Sequence, residues 1–188
     1  MRKGITKGGL AVAGAELADQ MGFEGVTVAA LARHFDVKPA SLYSHVLSTA
    51  DLKISVALLA LEELADRASD AVAGRAGKDA LIGLADSFRS YARDHPGRFA
   101  ATELKLDHES AKKSAGFRHA RLLRAMMREY GLTEINQIHA VRWFGSTVRG
   151  FIALEMSGSF DHSAPEAEES WYRILETLDT TFRHWPGQ

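Results

Sequence analysis

A chain of 188 residues, 46% hydrophobic and 25% charged, is long enough for one or two domains around a sizeable core. The absence of cysteine excludes disulfides, thiolate zinc sites and cysteine nucleophiles, and a net charge of −1 is not that of a uniformly basic nucleic-acid binder. Four prolines beside abundant Ala, Leu and Glu favour an all-α protein. The basic start, with Arg2, Lys3 and Lys7, leads into an apolar run broken by Glu16 and Asp19. It reads as neither a secretion signal nor a membrane span, so a cytoplasmic location without membrane attachment is expected.

Leu10, Ala13, Gly14, Leu17, Ala18 and Met21 recur at helical spacing and Gly22 follows as a stop, which predicts a first helix over residues 5–21. Thr27 is a plausible N-cap, and Val28, Leu31, Ala32 and Phe35 form the single apolar stripe of a second helix. "DVK" turns the chain, and Pro39 opens a short third helix over 39–47 at the position where its missing N–H costs nothing. Three helices within fifty residues, the last two joined by a tight turn, make a helix-turn-helix. "STADL" opens a fourth, long helix, capped by Ser48 or Thr49, that ends near Gly74. Further helices are expected near 78–95, 98–106, 110–130, 133–157 and 165–185, with a domain boundary near residue 48.

On a wheel of about 100° per residue, Leu42 and Val46 point inward with Pro39 beside them. Ala40, Ser44 and, less squarely, Ser41 face solvent, with Tyr43 and His45 on the flanks. A small, smooth face bordered by hydrogen-bonding groups suits a helix that approaches base edges while its flanks hold phosphates. Spacing alone fits a surface helix of a small bundle equally well.

The string "AGAELADQMGFEGVTVAALARHFDVKPASLYSHVLSTADL" resembles the TetR (tetracycline-repressor-like) family of transcriptional regulators. The matching pieces are G-x-x-x-x-T leading to the second helix, A-L-A-R within it, V-K-P-A-S-L-Y-x-H across the third and S-x-x-D-L opening the fourth. The resemblance implies double-stranded operator DNA as a partner. Thr27 would contact a phosphate, as helix N-termini do. Lys38, Tyr43, His45 and Lys53 match backbone-contacting positions; Pro39, Ala40 and Ser44 match positions facing the bases, with Ser41 between the two roles. Asp36 stands where the family often has Gly, and Thr49 where a Lys is frequent.

The resemblance also implies that residues 49–188 form a helical effector-binding and dimerisation domain behind a DNA-binding domain of residues 1–48. Trp171, Ile174, Leu175, Leu178, Phe182 and Trp185 line the last helix, and Ile135, Ile138, Phe144, Val148, Phe151 and Ile152 the one before, with Gly145 and Gly150 allowing close approach. These stripes predict a homodimer through the last two helices; packing within one chain is the alternative. "RWFGSTVRGFIALE" is similar to the segment that defines a WHG-type C-terminal subgroup, with Arg149 where the usual His stands. A mostly apolar pocket for a small effector is expected from Phe88, Tyr91, Phe99, His119, Leu122, Met126, Phe144, Thr147, Val148, Phe151 and Trp171, with His119 and Thr147 as its polar groups.

An enzyme is not expected. No H-E-x-x-H or other supported metal-ligand spacing occurs among the eight histidines; "GSTVRG" is not G-x-S-x-G, and "GRAGKD" fails the phosphate-loop spacing. No cofactor or metal is called for. The expectation is a sequence-specific DNA-binding transcriptional repressor released from its operator by a small, largely apolar ligand; the alternative is a helical ligand-binding scaffold that no longer binds DNA.

Overall fold

The computed structural model describes residues 6–186; Arg2, Lys3 and the expected helix start at Ile5 lie outside the described residues. Among the described residues the chain forms α1 (Lys7–Met21), α2 (Val28–His34), α3 (Thr49–Val72), α4 (Gly77–Asp94), α5 (Pro96–Ala101), α6 (His108–Lys113), α7 (Gly116–Arg128), α8 (Glu134–Met156) and α9 (Ala167–Arg183), with 3₁₀ turns at Phe23–Gly25 and Pro39–Ser41 and no strand. The fold class is all-α, as expected. None of these helices is long and apolar enough to cross a membrane.

Packing divides the chain into two compact units, one of residues 1–64 and 94–116, the other of 65–93 and 117–188. In the first, the Thr6 hydroxyl accepts from Gly9 N–H at 3.1 Å and starts α1, and Gly22 at φ 83° stops it. The core is built from Leu10, Leu17, Val26, Leu31, Leu42, Val46, Leu52 and Val56 with many alanines. Small side chains let backbones touch. A Cβ on Gly97 would fall 1.9 Å from the Ala18 carbonyl oxygen, so α5 lies directly on α1. The Asp19 carboxylate fixes that junction, accepting from the Arg98 N–H at 2.9 Å and meeting His95 Nδ1 at 3.1 Å. Arg98 also donates to Glu63 at 3.0 Å.

The second unit is held by large side chains. Leu81, Leu84, Tyr91, Met127, Phe144, Val148, Trp171, Leu175 and Phe182 are almost wholly buried. The Trp171 indole N–H donates to Asp86 at 2.7 Å, and the Tyr130 hydroxyl to Asp179 at 2.9 Å, so their polar atoms do not go unpaired in the core.

Three element boundaries differ from the sequence expectation. The short third helix is one 3₁₀ turn followed by hydrogen-bonded turns, closed by Val46 N–H donating to the Leu42 carbonyl at 3.0 Å. Two buried anchors in so short a segment do not sustain a regular α-helix. The helix expected over 98–106 runs from Pro96, at its first position, only to Ala101. The helix expected over 110–130 breaks at Ser114, whose backbone is extended (ψ 159°) and whose hydroxyl accepts from Gly116 N–H at 3.2 Å, restarting the chain as α7.

Candidate nucleic-acid interface

The helix-turn-helix is assembled by short-range caps. The Thr27 hydroxyl accepts from Ala30 N–H at 3.0 Å and opens α2; its own O–H remains able to donate. The same helix end is satisfied by Thr49, whose hydroxyl accepts from Val28 N–H at 3.4 Å. That hydroxyl binds within the fold where a Lys would reach outward. At the far end of α2, Val37 N–H donates to the Ala32 carbonyl and Asp36 N–H to that of Arg33, with Asp36 at φ 53°. This is a Schellman stop whose left-handed position, ordinarily glycine, holds an aspartate. Asp tolerates that conformation better than most residues, at a cost of about 1 kcal/mol.

Beyond the turn, Leu42 and Val46 are buried, while Lys38, Pro39, Ala40, Ser41, Tyr43 and Ser44 are exposed and His45 is half-buried. Tyr43 presents 54% of its surface. The Ser44 hydroxyl donates to the Ser41 carbonyl at 3.3 Å, keeping the outward face low and compact. Ser48 caps α3 by accepting from Asp51 N–H at 3.1 Å, and Asp51 accepts from Leu47 N–H at 2.9 Å, which fixes the segment's exit. Lys53 does not stand free: it pairs with Glu24 at 2.6 Å and lies over the Phe23 ring. Lys7 likewise pairs with Asp51 at 3.3 Å. Leu47, at the end of the segment, is 84% exposed and carries no periodicity signal in the sequence.

The expected pocket residues divide differently. Phe99 belongs to the first unit; Phe88, Tyr91, His119, Leu122, Met126, Phe144, Thr147, Val148, Phe151 and Trp171 belong to the second. Phe88 meets His119 edge-on at 5.7 Å, and Phe151 meets Trp171 at 5.0 Å. Leu122 and Met126 line a cavity of about 180 Å³ together with Val72, Arg75, Ala80 and Glu129. His119, Leu122 and Thr147 are half-buried, and the others in the second unit are buried.

Two cations inside this unit were not read from the sequence as site residues. Arg89, 4% exposed, is clamped by Glu155 and Glu168 and stacks over Phe151 and Trp171. Its bonds hold the Glu155 carboxyl below the ordinary carboxylate range. Arg149 lies over the Phe88 ring at 5.5 Å, and burial pushes its guanidinium down from the ordinary value. Arg89 could have been suspected, since it follows Leu81 and Ala85 on the apolar stripe of α4. Among the described residues no group of His, Asp and Glu could hold a metal ion.

A short exposed segment held down by buried Leu42 and Val46 after α2 places the chain in the class of helix-turn-helix proteins. Comparison with known proteins agrees. Residues 81–178 match the family described as tetracyclin repressor-like, C-terminal domain. Over 183 residues the chain is 33% identical to the HTH-type transcriptional regulator YobS of Bacillus subtilis, spanning 97% of this chain and 91% of that protein. Its fold is similar to that of a TetR variant from Acinetobacter baumannii AYE in complex with minocycline (TM-score 0.73, 18% identity, 98% of this chain and 100% of that one). It is also similar to BioQ with its double-stranded DNA operator (TM-score 0.67, 20% identity, 94% and 99%). The chain belongs to the TetR family of helix-turn-helix transcriptional regulators.

Proposed function

We propose that the protein is a cytoplasmic, sequence-specific repressor that binds operator DNA through residues 1–48 and is released by a small, largely apolar effector bound within residues 49–188. The observation that carries the DNA reading is the Pro39–Val46 segment: Leu42 and Val46 hold it down, and Pro39, Ala40 and Ser44 present a face low enough for base edges. Lys38, Tyr43, His45 and the O–H of Thr27 border that face as phosphate ligands, and Ser41 serves either neighbour. Lys53 joins them by exchanging Glu24, a surface pair worth little, for a phosphate. BioQ, of like fold, has been seen with its operator, and a TetR variant with minocycline. No catalytic role is assigned.

A two-fold operator calls for a homodimer with the reading segments in successive major grooves, roughly 34–36 Å apart. The apolar stripes expected to form the interface, Trp171, Leu175, Leu178 and Phe182 on α9 and Phe144, Val148, Phe151 and Ile152 on α8, are buried within the chain. The dimer therefore uses the outward face of α8, where Ile135, Trp143, Leu154 and Met156 stay exposed. A Cβ on Gly145 or Gly150 would meet open space, so these glycines answer no need of the single chain and suit a partner helix at close range. Effector binding displaces α3, whose residues 49–64 belong to the first unit and 65–72 to the second, and lowers operator affinity by population shift.

The test is a mobility shift on DNA from upstream of the protein's own gene, with and without a ligand found by thermal-shift screening of hydrophobic small molecules. Binding that is lost on adding ligand is expected. Absence of any specific shift would favour a helical scaffold that does not bind DNA, and a shift indifferent to saturating ligand would refute release.

A further inference from the structure

The second unit carries a cationic groove that neither the DNA face nor the apolar pocket uses. Arg121, Arg124 and Arg128 follow one another at i, i+3 and i+7, so they form a single stripe along α7. All three are exposed. They open onto a groove of about 470 Å³ whose other wall is Glu134, Gln137 and Ile138 of α8. Arg118, one turn earlier on the same stripe, is neutralised by Asp66 at 2.6 Å. Among the described residues no ion pair engages Arg121, Arg124 or Arg128, although Glu134 lines the same groove. Three like charges on one helix face repel each other and weaken the helix.

We propose that this groove binds a small linear polyanion of the oligophosphate class. The guanidinium fork offers paired N–H donors that match phosphate oxygens. Arginines spaced along about 10 Å of helix suit several linked anionic groups better than one. The opposite wall carries one carboxylate, Glu134, against the three arginines, which leaves the groove cationic; beside it Gln137 donates its amide to the Leu132 carbonyl at 2.8 Å, and Ile138 keeps 42% of its surface exposed. A bare oligophosphate chain would use the arginines alone, whereas a nucleotide would also lay its base on Ile138. The site shares no residue with the expected effector pocket and does not depend on DNA binding.

Isothermal titration of the full chain in low salt, without DNA, tests it with tripolyphosphate and ATP as probes and citrate as a carboxylate control. Saturable binding of tripolyphosphate is expected, weakened roughly 10- to 100-fold by Arg124→Gln and unchanged by Arg173→Gln, which alters an arginine of α9 outside the groove. Circular dichroism of both variants should match the parent, since both positions are exposed. Tighter binding of ATP that is lost in Ile138→Ala assigns a nucleotide; equal binding assigns the bare chain. No saturable binding, equal loss in both arginine variants, or citrate binding as tightly as tripolyphosphate would overturn the proposal.

Discussion

The reading segment and the interior of the second unit treat polar groups in opposite ways. Between Pro39 and Val46 only two apolar side chains are buried, and every hydrogen-bonding side chain lies on the surface or its flank. Around Arg89 a cation, two carboxylates and two aromatic rings are packed together, with Arg89 4% exposed. The first region is arranged to meet something outside the molecule. The second is satisfied from within, and its charges set the geometry of the core rather than a contact.

The same contrast explains what could be read from sequence. Apart from Val28 to Thr49, the caps and turns described for the helix-turn-helix join residues three to five apart, as in Ala30 to Thr27, Asp51 to Ser48 and Val37 to Ala32. Spacing and residue type therefore announce them. Arg89 meets Glu155 and Glu168 across 66 and 79 residues, and Trp171 meets Asp86 across 85. No local pattern encodes such pairs. The dimer stripes show the limit of periodicity: it identified which faces of α8 and α9 are apolar, but an apolar face packs against its own chain as readily as against another. Phe99 is apolar like the other expected pocket residues but falls in the first unit, a placement no local pattern encodes.

The comparison can be broken most forcefully at Arg89. Arg89→Leu should destabilise the second unit by about 3–5 kcal/mol, because Glu155 and its neighbours lose a buried counter-charge. Glu155 has its folded pKa depressed, so its contribution is complete above its ordinary value of 4.5 and is lost as pH falls through the folded value. Thermal melts should therefore differ widely between variant and parent at pH 7 and converge in acid. A gap that persists unchanged at low pH would remove the ion pair from the explanation.

At the surface region, Leu42→Ala should cost about 2–4 kcal/mol and abolish DNA binding by releasing the segment from its main anchor. Denaturant melts of the first unit and a mobility shift would register both losses together; retained binding with full destabilisation would show that the segment needs no anchor. The smallest effect is expected at the turn. Asp36→Gly should stabilise by about 0.5–1 kcal/mol by relieving the left-handed backbone at φ 53°. A destabilised variant would mean that the aspartate side chain contributes more than its backbone costs.

The central claim is that Ser44 faces bases and Tyr43 faces phosphates, and selection of binding sites from a randomised operator library measures it directly. Tyr43→Phe should lose about fivefold affinity, equally on every selected sequence, as expected for one backbone hydrogen bond. Ser44→Ala should leave overall affinity close to the parent's while changing the preferred base at one position in each half-site. A Tyr43→Phe protein with altered sequence preference, or a Ser44→Ala protein with none, would contradict the account.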